Sequence, residues 1–410
     1  MLPLRRKEAY YSQLLTNPQY AGDMRMYSIS SWVYSEYKKL AGIINKKWLN
    51  FQKKIFFPTV VAELSNHIGS YIITIFLVSQ VVFNNLPVAV FLPGKRALYF
   101  FTMKIKSILE SFRGIGECVI DTRDYRNFME TENEIAKEDV GILVTTISNQ
   151  KELYCFENVS FKYPTTLSPV LSCLNFSIQM QDFHVVVGTN GAGKSTLMVL
   201  LCRLYDVDTG SILYNGVNIK EINYRSYRDQ IGIAFQNYQQ YNLSIAENVA
   251  MNLYEETEEM RTNIYEMLVK VGLKNKIDSL PNGIDTQLGR DFDEEGIFLS
   301  GGELQKLALA RVLFMDTPVV ILDEPSSALD PLAEEELISL ALTVLKNKTV
   351  FYVSHRLSVA KYAHKVIFVN NNTVEAVMPH TELLKVNEKY NELYTAQAKH
   401  YTGDGSDENE

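Results

Sequence analysis

Basic excess is missing from this chain. Its 40 Lys and Arg stand against 48 Asp and Glu, a formal net charge of -8, so the overall balance gives no reason to expect nucleic acid as a partner. Cysteine is scarce as well. Cys118, Cys155, Cys173 and Cys202 share no short paired spacing. That argues against a disulfide scaffold and a metal site, and leaves them as small apolar residues of a reduced compartment. No basic stretch followed by an apolar run and a small-residue cleavage site opens the chain, so no secretory leader is expected. With 46% hydrophobic residues over 410 positions the chain is not a disordered polymer, and it has room for two domains of roughly 100–200 residues each.

A long uninterrupted apolar run is also lacking. The strongest, IGSYIITIFLVSQVVF from Ile68 to Phe83, falls short of the ~20 residues that cross a bilayer, although apolar flanks reach from Ile55 to Leu92. Upstream lies a basic segment holding Arg5, Arg6, Lys7, Arg25, Lys38, Lys39, Lys46, Lys47, Lys53 and Lys54. A basic flank beside an apolar stretch is the pattern of the cytoplasmic side of a membrane helix. One span over about 59–83 is therefore expected, with Glu63, Asn66 and His67 turned to a bundle interior or the interface. The alternative is a buried helix of a soluble protein.

Around that stretch, residues 1–50 have helical spacing, broken at TNPQY, Thr16 to Tyr20. Pro87 and LPGK, Leu92 to Lys95, are expected to turn. The 96–128 segment is amphipathic, and Lys104 and Lys106 make it a poor span. The polar ETENEIAKED, Glu130 to Asp139, is a linker, and the acidic tail over 401–410 is expected to be disordered.

From about residue 150 the texture changes to α/β. ELYCFENVSFKY alternates like an edge strand, SILYNG with VNIK suggests a hairpin, and PVVILD and KTVFYVSH suit central parallel strands. Helical segments separate them, so an α/β domain with a mixed sheet is expected. Within it, GTNGAGKST runs from Gly188 to Thr196, after a strand and at a helix start. Glycines there let consecutive N–H groups turn inward around an anion, backed by a helix N-terminus. Lys194 is expected to reach the β and γ phosphates, and the Ser195 hydroxyl to ligate Mg²⁺. VVILDEP supplies Asp323 at a strand end to hold the metal, and Glu324 beside it as a general base for an attacking water.

FLSGGELQKLALAR (Phe298 to Arg311), AFQN around Gln236, SSALD after Pro325 and YVSHRLS around His355 complete a set whose order resembles the ATPases of ABC transporters, over roughly residues 150–400. The resemblance implies an ABC nucleotide-binding domain, a P-loop α/β fold with a mixed sheet and a helical subdomain, using ATP and Mg²⁺. It implies that Gly188, Asn190, Gly191, Ala192, Gly193, Lys194, Ser195 and Thr196 cradle the nucleotide and that Tyr163 lies over adenine. It implies that Gln236 senses the γ-phosphate, the metal and the water, and that His355 contacts the γ-phosphate. Ser300, Gly301 and Gly302 would face an ATP held by a second ABC subunit, identical or different, with Asp330 signalling across the pair. Glu303 stands where many members carry Gln.

Residues 10–40 resemble the cytoplasmic loop and coupling helix of bacterial exporter-type half-transporters, and the apolar segment resembles their fifth membrane helix, with 96–128 in place of the sixth. The expected architecture is thus a partial all-α membrane-domain remnant over 1–135 followed by the ATPase over 150–400. The implied function is ATP-driven export of a peptide, drug or lipid from the cell membrane, with the ATPase in the cytoplasm. Another polypeptide would supply the missing helices, and lipid would surround the spans. The alternatives are a soluble ABC ATPase, a truncated remnant, and a non-enzymatic partner. Near the end, Asn371 and Asn372 are suited to a left-handed hairpin turn, and Pro379 before His380 departs from the family pattern, so His380 receives no catalytic role.

Overall fold

The computed structural model describes residues 2–83, 87, 89, 91–131, 135, 140–146, 151–236, 238, 240–326 and 331–402. It divides into two units, Met1–Thr131 and Glu132–Glu410.

The first unit is helical throughout its ordered elements: α1 (Leu2–Thr16), α2 (Ala21–Met26), α3 (Ser30–Phe83) and α4 (Phe91–Met129). The break at TNPQY is a short turn of 3-10 helix, where the Asn17 side chain accepts from the Gln19 N–H at 2.9 Å. The expected turn at LPGK is not there. Leu92 to Lys95 lie in the first turns of α4, because Pro93 so near a helix start gives up an N–H that has no intrahelical partner anyway. With 54 residues α3 is on the order of 80 Å long, more than twice a bilayer's hydrocarbon core. The 59–83 stretch is its last part, and the side chains of Glu63, Asn66 and His67 lie outside the described residues. Among the described residues, no helix is long and apolar enough to cross a membrane. Among the described residues the apolar burial of this unit is slight: Met24, Val33, Leu40 and Ile44 are buried, while Phe56, Phe57, Tyr71, Ile75, Phe76 and Phe83 are exposed.

The second unit begins with β1 (Glu152–Phe161), β2 (Leu171–Gln179), β3 (Phe183–Gly188) and α5 (Lys194–Leu201). It continues through β4 (Thr209–Tyr214), β5 (Val217–Asn218), α6 (Tyr224–Arg228) and β6 (Ile231–Ala234). Four helices follow, α7 (Ile245–Ala250), α8 (Glu258–Lys270), α9 (Lys274–Asp278) and α10 (Gly301–Met315). The chain then forms β7 (Val319–Asp323), α11 (Pro331–Val344), β8 (Thr349–Val353), β9 (Lys365–Asn370), β10 (Thr373–Met378), α12 (His380–Val386) and α13 (Glu388–Thr402).

Two sheets result, one in the order β2-β1-β4-β5 and one in the order β10-β9-β3-β8-β7-β6. The first is antiparallel. In the second, β9, β3, β8, β7 and β6 run parallel and β10 closes one edge antiparallel. Sequence alternation suggests an edge position for β1, yet it pairs with β2 on one side and β4 on the other. Its alternation reports one buried face, which an interior antiparallel strand shows as readily as an edge. Both expected hairpins form, with Asn215 and Gly216 at the β4–β5 turn and Asn371 and Asn372 at the β9–β10 turn all at positive φ.

Successive residues of β3 feed two cores. Val185 and Val187 pack among the helices, while Val186 packs with Phe156, Leu174 and Ile321 between the sheets. A strand covered on both faces must be apolar at every position, which is why VVV stands there.

His184, in the same strand, is an exception. It is fully buried and stacks on Phe351 at 5.5 Å; among the described residues neither ring nitrogen has a hydrogen-bond partner of good geometry, only weak approaches by Asp182 and Val350. Burial foremost, with Lys365 adding, pushes its pKa from 6.5 down to about 4. The unfolded chain therefore takes up this proton before the folded one does, so stability is full above about pH 6.5 and falls as pH drops toward 4. The loss is on the order of 3 kcal/mol. Denaturant titrations at about pH 7.5 and pH 5 are expected to show a smaller acid-side loss in His184→Phe than in the parent. Equal losses would place the sensitivity elsewhere.

Candidate functional site

Parallel strands put their C-terminal ends on one side of a sheet, and ligands of open α/β folds bind there. Here β3, β8, β7 and β6 are consecutive neighbours, so the residues following each come together although the sequence separates them widely.

The loop after β3 depends on its glycines. A Cβ at Gly188 would lie 1.8 Å from the Val369 carbonyl oxygen, so the close strand approach admits no side chain. Gly193, the N-cap of α5, has φ 103°, and a Cβ there would meet Leu171 Cδ2 at 2.6 Å. The first residue of α5 is Lys194, buried, whose Nζ donates to the Gly188 and Thr189 carbonyls at 2.9 and 3.1 Å. Burial lowers its pKa, and the carboxylates of Glu324 and Asp323 oppose that shift. Asn190, Gly191 and Ser195 are exposed at the rim of the loop, whereas Ala192 and Thr196 are buried under it. Tyr163 is half-buried, donates to Thr196 Oγ1 at 3.2 Å, and is met edge-on by Phe161 and Tyr205.

Asp323 ends β7. It is buried, and among the described residues its Oδ1 has no hydrogen-bond partner. Burial, then the neighbouring Glu324 charge, push its pKa up to about 6 against the pull of Lys194. Glu324 follows at φ 47°, a left-handed conformation that a non-glycine residue adopts at a cost, held by its N–H donating to the Val353 carbonyl at 3.1 Å. One oxygen of Glu324 collects the neighbours. Gln236 Nε2 donates to Oε2 at 2.7 Å, and His355 Nδ1 lies 3.8 Å from the same atom. His355 is 43% exposed, so water reaches the cluster.

An unpaired buried carboxylate oxygen is costly unless a cation meets it. With an exposed Ser195 hydroxyl at the start of α5 and the Gln236 amide oxygen left over, the donor set is all oxygen, which suits Mg²⁺.

The serine-glycine segment expected to face a nucleotide opens α10. Ser300 caps α10 with a full capping box: its Oγ accepts from the Glu303 N–H at 3.3 Å, and Glu303 Oε2 accepts from the Ser300 N–H at 2.7 Å. Ser300 and Gly301 are exposed, and a Cβ on Gly301 would meet nothing. Burial raises the Glu303 pKa, but the Ser300 bonds and Lys276 at 3.4 Å outweigh it and lower the result. Glu at this position therefore does the capping work that Gln would do. The bonds of Ser300 run to Glu303 and Leu304 rather than to the phosphate loop.

The structure thus brings Lys194, Asp323, Glu324, Gln236 and His355 together, while the hydrogen bonds of Ser300 stay within the start of α10. Asp330 lies outside the described residues. His380 pairs with the Tyr390 hydroxyl at 2.7 Å, a packing role. Sequence reasoning missed Tyr205, whose ring widens the aromatic face beside Tyr163, and missed the groups behind His355. Glu334 accepts from Ser326 and from Arg356, and Gln397 bonds to the backbone on either side of Arg356. For Arg356 the signal was its place next to His355; Gln397 had none.

A family model described as ABC transporter matches residues 171–327. The chain is 31% identical over 389 residues to the subtilin transport ATP-binding protein SpaT of Bacillus subtilis, covering 95% of this chain and 62% of that protein. It is 30% identical over 397 residues to the nisin transport ATP-binding protein NisT of Lactococcus lactis subsp. lactis, covering 96% of this chain and 65% of that protein. It therefore spans a little under two thirds of these curated relatives. Among solved structures, a bacterial Atm1-family ABC exporter with ATP bound superposes with a TM-score of 0.80 at 24% identity, over 97% of this chain and 68% of that one, a likeness of fold. These matches show that the chain carries an ABC-transporter ATPase domain, related to exporter-type systems and consistent with ATPase activity.

Proposed function

We propose that this chain is the ATP-hydrolysing part of an exporter at the cell membrane, working as a head-to-tail pair of ABC subunits with its ATPase unit in the cytoplasm. The observation that carries the chemistry is the convergence of Gln236 and His355 on one oxygen of Glu324, beside Lys194 and Asp323. Asp323, Ser195 and Gln236 hold Mg²⁺, which when bound offsets phosphate charge. Lys194 turns from its two carbonyls to the β and γ phosphates. The loop N–H groups from 190 to 196 take the remaining phosphate oxygens, and Tyr163, with Tyr205 at its edge, offers a face to adenine. Gln236 and Glu324 orient the attacking water, Glu324 accepts its proton, and His355 steadies the γ-phosphate. Ser300 and Gly301, exposed at the tip of α10, and Gly302 beside them complete the site of the neighbouring subunit.

The first unit supports the membrane part of the reading. Its exposed aromatic and aliphatic side chains need lipid or further helices to cover them, and another polypeptide, or further sequence of the same protein, supplies those helices. The two relatives matched across that unit are named for subtilin and nisin transport, and the exported compound is proposed to be of that kind. Membrane fractionation followed by ATPase assay tests this reading. The chain is expected in the membrane fraction, hydrolysing ATP with Mg²⁺ and losing turnover in chelator. Recovery entirely in the soluble fraction would favour a non-transport ABC ATPase.

A further inference from the structure

His355 follows β8 on an exposed bend, and the residue before it is tied to β3, the Ser354 N–H donating to the Val186 carbonyl at 3.0 Å. A second restraint comes from the far end of the chain. Gln397 on α13 accepts from the Leu357 N–H at 2.7 Å through Oε1 and donates to the His355 carbonyl at 2.9 Å through Nε2. One planar carboxamide thus grips the backbone on both sides of Arg356. Arg356 itself is held from another direction. Its N–H donates to Ser354 Oγ at 2.9 Å, and its Nη1 meets Glu334 Oε2 at 2.7 Å. Glu334 is buried and also accepts from Ser326, three residues after Asp323.

We infer that Gln397 is a positioning residue for ATP hydrolysis, through which the C-terminal helix sets the placement of His355 against Glu324. The inference rests on the reading of His355 as a γ-phosphate contact. A carboxamide bonded to both a carbonyl and an N–H fixes the peptide planes between them, because rotating either plane breaks a bond. With His355 Nδ1 already 3.8 Å from Glu324 Oε2, a small rotation opens or closes that approach. ATP binding, which relies on Lys194 and the loop N–H groups, does not pass through this grip. The state of α13 would thus control turnover without controlling nucleotide affinity.

The test uses the full chain carrying Gln397→Leu, which keeps the size and removes both bonds, and Gln397→Glu, which keeps an acceptor for Leu357 but turns a carboxylate on the His355 carbonyl. Each is expected to lower kcat about 10- to 100-fold while KM and the affinity for a fluorescent ATP analogue stay within about twofold, since displacement of a catalytic group by about 1 Å has effects of that order. Thermal unfolding checks that each variant is folded. Isotope-labelled histidine supplies a second reading, because the chain has 6 His and the His355 resonance is identified by its loss in His355→Ala. In Gln397→Leu that resonance is expected to shift while those of His184 and His364, which lie off α13, stay in place. Unchanged kcat, or an unmoved His355 resonance, would overturn the inference. If His355→Ala keeps full turnover, the reading of His355 itself fails. If His355→Ala loses turnover and Gln397→Leu does not, the positioning role alone fails.

Discussion

Glu324→Gln is expected to lower ATP turnover about 10²- to 10⁴-fold while leaving ATP affinity within about twofold. The substitution keeps the shape of the side chain and its place after β7, at φ 47° with its N–H on the Val353 carbonyl. It removes the charge proposed to accept a proton from water. Gln236, which now donates to Glu324 Oε2 at 2.7 Å, keeps a partner because an amide can turn its oxygen toward it. Binding survives because Lys194, the loop N–H groups and the metal ligands are untouched. Phosphate release measured at saturating ATP, beside equilibrium binding of a fluorescent ATP analogue, checks both halves. Turnover near the parent rate would remove Glu324 from the role of base. Turnover and affinity falling together would mean that its charge holds the metal or the nucleotide instead.

Lys194→Ala is expected to fail at the earlier step. The ammonium is buried and donates to the Gly188 and Thr189 carbonyls, and two carboxylates act on it from nearby. A charge-assisted bond to phosphate is stronger than those neutral contacts, so ATP pulls the side chain across. Truncation removes about 1.5–3 kcal/mol of such bonding, a loss of roughly 10- to 100-fold in ATP affinity, and turnover falls by at least as much again. The pair of variants separates two functions that one pocket carries: Lys194→Ala loses binding and Glu324→Gln keeps it. Equilibrium binding to the fluorescent analogue distinguishes them, and equal affinity in Lys194→Ala and the parent would contradict the role assigned to the lysine.

The parts of this site that could be read from sequence are those built by local rules. A glycine loop between a strand and a helix and a strand ending in Asp-Glu each state their geometry within a few residues. The structure adds the sheet order, which alone explains why Gln236, Glu324 and His355 meet. Contacts of side chain with distant backbone were not legible. Gln397 lies 42 positions from the His355 carbonyl it bonds, in an amphipathic helix where a glutamine reads as surface. Tyr205 escaped notice for the same reason, since only the fold sets its ring against Tyr163. Two local readings were corrected by physics outside their windows. The strand β1 has partners on both sides, and Pro93 sits inside a helix start rather than in a turn. The long helix α3 joins the basic and apolar halves of the first unit without interruption, even across Pro58, where the sequence suggests separate segments.

The claim on which the account turns is that one ATP is shared between the phosphate loop of one copy and the α10 tip of another. Disulfide formation between Asn190→Cys and Phe298→Cys tests it most directly, both sites being exposed in a single copy. The experiment is done in the Glu324→Gln background with the exposed Cys118 and Cys173 replaced by Ser. The expected result is a cross-linked dimer that forms with Mg²⁺ and ATP and not without them. ATP bound at saturation with no cross-link between copies, or the same cross-link in the absence of nucleotide, would contradict the account.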